Sequence, residues 1–287
     1  MSNLETKEIS DFVVKKVKVP ELPSIENIAG GKIFPQLYHN TFICAKKRSG
    51  KTVALSSIIL NSINKSTNVI FFVPTSQKDF TYQHIFDKLD KREINYTVYQ
   101  DIMEDGVNIL DKLIDGLLVA DPEVKRKSKT KVDGTALAGG TTSREPPPVY
   151  NLFEDENKIE EVKERKTKKK APKYIIVIDD MSNATRDPSI ARLLKVHRHL
   201  KSSVFISSQN CNDIVPAAWR QLDYLLIFGG FSTNLPKLED IHKNMDLPID
   251  FDKFVQIYRD ATSEPYNFLW CDKNGTFRKN FNKEYVL

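Results

Sequence analysis

The chain has 287 residues, 40% hydrophobic and 10% aromatic, enough for a sizeable core and too many for wholesale disorder. Its 43 Lys and Arg against 38 Asp and Glu leave a net charge of +5, a mild excess compatible with a polyanionic partner but no evidence for one alone. The three cysteines (Cys44, Cys211, Cys271) lie far apart without CxxC or Cys/His spacing, which disfavours a disulfide framework or a zinc site. No run reaches the ~18 apolar residues of a membrane span, and the first residues lack the order of a signal peptide. A soluble, non-secreted protein is expected.

Residues 1–30 are polar and punctuated by Pro20 and Pro23, and read as a flexible arm ahead of one domain over 31–287. Thr41–Cys44 is the first short apolar strand. A helix follows from Lys51 to about Ile63, with Val53, Leu55, Ile58, Ile59 and Ile63 on one face. Asn68–Val73 is a continuous apolar run stopped by Pro74, as suits a parallel strand covered on both faces. Residues 79–90 and 106–119 read as helices, and Tyr96–Tyr99 as a short strand.

From about 121 to 172 the composition turns charged, with basic clusters at Lys125-Arg126-Lys127 and Lys168-Lys169-Lys170. A loop of this length inside a compact domain is functional or disordered. A solvated insertion is the plainer reading; a basic element touching nucleic-acid backbone is the sharper one.

Further strands are expected at Lys173–Ile178, Ser203–Ser208 and Asp223–Phe228, with a last one at Tyr266–Trp270, at a sheet edge. Helices are expected near Ser189–His199 and Lys253–Ala261. Strands alternating with helices predict an α/β fold with a mostly parallel central sheet flanked by helices.

The chemistry concentrates in three places. Ala45-Lys46-Lys47-Arg48-Ser49-Gly50-Lys51-Thr52 meets the P-loop pattern with Ala for the first Gly. Such a loop turns backbone N–H groups and a helix N-terminus towards phosphate. Lys51 is then the contact to the β- and γ-phosphates, and the Thr52 hydroxyl a ligand to Mg²⁺. Ala45 carries a Cβ, so its backbone must avoid positive φ. Next, Tyr174–Ile178 ends in Asp179-Asp180, a buried strand delivering two carboxylates to the edge where open parallel sheets bind ligands. Asp179 is the candidate to hold the metal and Asp180 to polarise the attacking water.

Gln209 directly follows Ser203–Ser208 and is a candidate γ-phosphate sensor; a surface Gln ending a strand is the competing reading. Transferring phosphoryl charge asks for a further cation. Arg192 and Arg198, on the helix between the Asp pair and Gln209, are candidates to act on a neighbouring subunit, and Arg48 is an alternative in cis.

In this order the elements resemble the genome-packaging ATPases of large double-stranded DNA viruses, the poxvirus-type branch of the FtsK–HerA superfamily. The resemblance is carried by Ala45–Thr52, Phe72-Val73-Pro74-Thr75-Ser76-Gln77, Ile178-Asp179-Asp180, Arg198-His199 leading into Ser203–Gln209, and Ala261-Thr262 with Tyr266–Leu269. It implies a RecA/FtsK–HerA-like fold and a ring-forming motor that hydrolyses ATP with Mg²⁺. That motor would drive double-stranded DNA into a preformed capsid at a portal vertex, in host cytoplasm or a virus factory or carried on the virion. It also implies Asp180 as catalytic carboxylate, although a longer Glu is usual there.

Rival readings are another P-loop translocase or helicase, and a structural protein that binds nucleotide without turnover. A terminase is disfavoured because the segment beyond Phe228 is too short for a nuclease domain.

Overall fold

The computed structural model describes residues 23–76, 79–120, 169–181 and 184–287. Most of the charged insertion, residues 1–22 of the arm, and Gln77 lie outside the described residues. The basic cluster at 125–127 and Lys168 lie outside them too.

In chain order the elements are β1 (Asn40–Cys44), α1 (Lys51–Ser62), β2 (Asn68–Phe72), α2 (Phe80–Lys91) and β3 (Tyr96–Tyr99). A small hairpin of β4 (Met103–Glu104) and β5 (Val107–Asn108) leads into α3 (Ile109–Val119). Then come β6 (Tyr174–Asp179), α4 (Pro188–Val196), β7 (Ser202–Ser208), α5 (Pro216–Trp219) and β8 (Tyr224–Phe228). The chain closes with α6 (Leu235–Met245), α7 (Phe251–Ala261), β9 (Phe268–Asp272), β10 (Phe277–Lys279) and β11 (Lys283–Glu284).

Nine strands form one sheet in the order β11-β10-β9-β8-β1-β7-β6-β2-β3. Pairing is parallel from β8 across to β3, while β9, β10 and β11 each run antiparallel to their neighbours. The expected mostly parallel sheet is therefore present.

Side chains alternate across a strand, so each apolar run feeds two cores. Ile43, Phe71, Val177 and Phe205 face one side with Leu55, Ile58 and Ile59 of α1 and Tyr82, Ile85 and Leu89 of α2. Phe42, Phe72, Ile178 and Ile206 face the other, against Leu110 and Ile114 of α3, Leu193 of α4, Leu238 of α6 and Phe254 of α7. Continuous hydrophobicity in the sequence is the signature of this double coverage.

Several boundaries differ from expectation. The helix expected over 106–119 starts at Ile109, because residues 103–108 form the β4–β5 hairpin and Asn108 caps the helix by accepting from the Asp111 N–H. The helix expected to reach His199 ends at Val196, leaving Arg198 in the following turn. The strand expected at an edge begins at Phe268 and lies inside the sheet between β8 and β10. Residues read as arm and insertion also meet. The Ala29 N–H donates to the Lys170 carbonyl at 2.8 Å and the Lys170 N–H to the Asn27 carbonyl at 2.7 Å. Ile28 is buried beside this bridge.

The N-terminal edge of the sheet carries a buried polar knot. The Asn40 side-chain amide donates to the carbonyls of Leu194 and Gln221, each at 2.8 Å, and its backbone N–H donates to Asp223 at 3.0 Å. Nearby, His39 packs its ring 4.4 Å from that of Phe34, and its Nδ1 lies 2.9 Å from the Thr41 hydroxyl. Burial, which outweighs the attraction of Asp223, holds the His39 imidazole down to about 3.

A base neutral when folded but protonated when unfolded stabilises the fold fully only above its unfolded value near 6.5, and that stability drains away as pH falls towards 3. His39 alone should therefore cost ~1.4 kcal/mol of stability per pH unit below about 6. Urea denaturation of His39→Phe at pH 7 and pH 5 is expected to show a slope shallower by about one proton, whatever its stability at pH 7.

Candidate nucleotide-binding site

The sheet order explains why residues far apart in sequence converge. Strand β7 lies between β1 and β6, so the chain leaves three adjacent parallel strands at one edge. Cys44 pairs with Ser208 and Ser207 with Asp179. The loop after β1 (the P-loop), the carboxylates ending β6 and Gln209 beyond β7 therefore emerge side by side. Ala45 is fully buried, donates its N–H to the Ser208 carbonyl at 3.0 Å, and is not among the residues of positive φ. Its Cβ is accommodated.

The loop turns through Arg48 (φ 62°) and Gly50 (φ 87°) into α1. Helices α2, α3, α4 and α6 are each capped by an Asp or Asn side chain; α1 starts at Gly50 with no side-chain cap. Its first N–H groups thus keep their capacity to bind an anion, reinforced by the helix dipole.

At the centre, Lys51 Nζ lies 2.9 Å from Asp179 Oδ1 and 3.5 Å from Asp180 Oδ1. Asp179 is 2% exposed, and its other oxygen accepts a 2.5 Å hydrogen bond from the Tyr82 hydroxyl of α2. Burial first, and the neighbouring Asp179 carboxylate second, push the Tyr82 phenol well above its ordinary range, so it stays a donor. Asp180 sits at φ 57°, a left-handed conformation that Asp tolerates better than most side chains, and Gln209 Nε2 donates to its Oδ1 at 2.7 Å.

Three buried polar atoms here make no hydrogen bond among the described residues: Ser49 Oγ, Lys51 Nζ and Asp179 Oδ1. The last two face each other as charges without hydrogen-bond alignment. A buried hydroxyl without a partner, next to a buried charge pair without hydrogen-bond alignment and at an uncapped helix start, marks a ligand site.

The cavity above them is about 490 Å³, lined by Lys47–Val53, Asp79, Thr81, Asp180, Gln209 and Tyr266. Two larger clefts, beside residues 29–33 and along α7, lie away from the P-loop and are lined by no buried ionisable group.

The remaining expected residues lie as follows. Lys46 turns away from the cavity, its ammonium 5.5 Å from the Phe231 ring centroid and its stem against Gly230, where a Cβ would meet it at 2.9 Å. Thr52 lines the cavity beside Lys51. Arg192 is not brought to the site: it pairs with Asp111 at 2.9 Å and also with Asp115, both on α3. Arg198 lies 3.5 Å from Asp223, at the opposite edge of the sheet, where Lys273 also reaches that carboxylate at 3.0 Å. Tyr82 and Tyr266 are site residues that sequence reasoning missed. Tyr82 reads as one more apolar position of an amphipathic helix, which it also is. All three cysteines are free and buried.

Residues 141–280, just under half of the chain, match the family model described as Poxvirus A32 protein. Over that stretch the chain is similar to the poxvirus A32 proteins, and it is a P-loop ATPase. The match takes in Asp179, Asp180 and Gln209, while the P-loop at Ala45–Thr52 lies upstream of it. No curated protein matches the chain.

Among solved structures, the DNA-packaging ATPase B204 of Sulfolobus Turreted Icosahedral Virus is 15% identical over 82% of this chain and 93% of its own, with a TM-score of 0.46. The genome packaging NTPase B204 of Sulfolobus turreted icosahedral virus 2, in complex with AMP, is 14% identical over 88% and 98%, at 0.47. The cytoplasmic domain of the Type VII secretion ATPase EccC of Thermomonospora curvata is 12% identical over 83% of this chain and 24% of its own, also at 0.47. These are loose likenesses on which the reading of the site does not rest.

If Tyr82 orients Asp179 towards a cation, Tyr82→Phe should keep the fold, since its ring still packs with Phe71 and Phe86. The Mg²⁺ concentration for half-maximal ATP hydrolysis should rise about tenfold, the usual scale for a residue supporting a metal ligand. A titration of activity against Mg²⁺ at saturating ATP checks this.

Proposed function

We propose that the chain hydrolyses ATP at this site with Mg²⁺ and uses the reaction to drive double-stranded viral DNA into a preformed capsid. The observation that carries the catalytic half is the buried Lys51–Asp179 charge pair, without hydrogen-bond alignment, beside the unpartnered Ser49 Oγ at the uncapped start of α1. A triphosphate with a divalent cation matches all three: phosphate oxygens for the hydroxyl and ammonium, a cation for the carboxylate.

Lys51 is the contact to the β- and γ-phosphates, released from Asp179 and Asp180 when they find other charge. Thr52 and Asp179 are the residues to hold Mg²⁺, with Tyr82 fixing the Asp179 carboxylate. The metal would neutralise charge developing on the phosphate oxygens. Backbone N–H groups of Lys46–Gly50 cradle the phosphates.

Asp180 orients the water that attacks the γ-phosphorus and accepts its proton as the bond to the bridging oxygen breaks, giving ADP and phosphate. Gln209, which donates to Asp180, holds that carboxylate in place and senses whether the γ-phosphate is present. Lys51 and Gln209 both touch Asp180 Oδ1, so a change at the phosphate is felt at once beyond β7.

The packaging half is supported by the relation to the poxvirus A32 proteins and by the resemblance carried by the site motifs. On this reading the chain forms one ATPase domain over 31–287. It works as a homo-oligomeric ring at the capsid's portal vertex, in the host cytoplasm or virus factory. It grips DNA by phosphate contacts, for which a mild positive charge suffices. Arg192 or Arg198 then acts on a neighbour's phosphate, which requires Arg192 to leave Asp111 and Asp115 or Arg198 to leave Asp223. No helix among the described residues is long and apolar enough to cross a membrane.

Purified protein should hydrolyse ATP, faster with double-stranded DNA, and Lys51→Ala and Asp180→Asn should each lose at least 100-fold, on the order of 3 kcal/mol of transition-state stabilisation. Equal turnover by wild type and Lys51→Ala would overturn the assignment. Binding without turnover, with or without DNA, would leave only a nucleotide-holding structural protein.

A further inference from the structure

Besides its phosphate-loop and polar residues, the 490 Å³ cavity is lined by two exposed apolar side chains, Val53 and Tyr266. Val53, in the first turn of α1, is 65% exposed, and Tyr266, in the turn between α7 and β9, is 69% exposed. Both line the same cavity as Gly50, Lys51 and Thr52. Large apolar side chains left open to water next to a phosphate loop are what the uncharged part of a nucleotide needs.

Tyr266 is held there against local preference. Its φ is 68°, in the left-handed region that favours glycine and that a bulky side chain adopts at a cost. The flanking residues pin the turn. The Asn267 N–H donates to the Glu264 carbonyl at 3.3 Å and its side-chain amide to the Glu264 carboxylate at 3.0 Å. Asn280 donates to the Asn267 side-chain oxygen at 2.9 Å and accepts from the Phe268 N–H at 3.1 Å. The aromatic ring thus reaches the P-loop, close enough that a Cβ on Gly50 would lie 3.2 Å from it. No hydrogen bond of the Tyr266 side chain, and no aromatic partner for its ring, occurs among the described residues, so core packing does not explain why a tyrosine occupies this strained position.

We infer that Tyr266 and Val53 form the platform for the nucleobase, which stacks on the tyrosine ring while the phosphates occupy the P-loop. The inference rests on the proposed nucleotide site and adds its selectivity. Stacking on an aromatic face depends on ring area and reads no hydrogen-bond pattern. The site therefore takes purine nucleoside triphosphates as a class, ATP and GTP within a few-fold of each other, ahead of pyrimidine nucleotides.

The test compares affinities of ATP, GTP, CTP and inorganic tripolyphosphate, each with Mg²⁺, for the full chain. Tripolyphosphate carries the phosphates without a base. Tyr266→Gly suits the φ of 68° and so should not unfold the protein. It is expected to weaken ATP and GTP about tenfold, the lower part of the range for one base on one aromatic ring, and to leave tripolyphosphate unchanged. Tyr266→Phe should bind like wild type.

Equal weakening of ATP and tripolyphosphate by Tyr266→Gly would make the tyrosine a prop for the P-loop and overturn the platform. No weakening of either would also overturn it. Failure of the underlying site has a different signature: ATP binding that survives Lys51→Ala. Binding that depends on Lys51 yet ignores Tyr266 defeats the platform alone.

Discussion

A lysine ammonium and an aspartate carboxylate, both nearly out of reach of water, face each other at 2.9 Å where β1 gives way to α1 and β6 ends. Charges this deep are tolerated only when each has a partner, so the geometry around Lys51 and Asp179 is constrained from every side. Strand β7 must separate β1 from β6 for the side chains to meet across it, and α2 must present Tyr82 from above to occupy the second carboxylate oxygen. The pair is also replaceable. Neither atom is engaged in an aligned hydrogen bond, so a ligand that supplies counter-charge to both can part them without leaving either worse satisfied. A structure that depends on an ion pair so easily exchanged is set up to respond to what binds there.

Much of the fold is legible along the chain because its parallel strands are covered on both faces. Runs such as Ile175–Ile178 and Leu225–Ile227 carry no polar interruption, and the helices between them keep helical spacing. Legibility fails in the last third. The β10 and β11 strands are three and two residues long and rich in charge, so they owe their conformation to pairing, β10 with β9 and β11 with β10, rather than to local preference. Helix α6 hides behind Asn234-Leu235-Pro236, a cap and a helix-starting proline that resemble a turn when read alone.

The site divides in the same manner. The P-loop and Asp179-Asp180 announce themselves because their chemistry needs contiguous residues. Tyr82 and Tyr266 do not, since their roles come from where α2 and the α7–β9 turn are placed in space. Arg192 shows the converse. Along the sequence it is an available cation between two site elements; in the fold α3 stands beside α4 and its two aspartates take that cation. Pairings between elements some eighty residues apart leave no local trace.

The sheet's two ends have a mechanical consequence. β11 is a two-residue strand of Lys283 and Glu284, and β3 at the far end is only four residues long. Short or charged borders discourage a second molecule from continuing the backbone ladder. Such borders favour meeting through side chains and loops should copies of this chain associate. Contacts of that type can slip, re-seat and differ from one neighbour to the next, whereas a ladder shared between subunits would weld them into a single rigid plank.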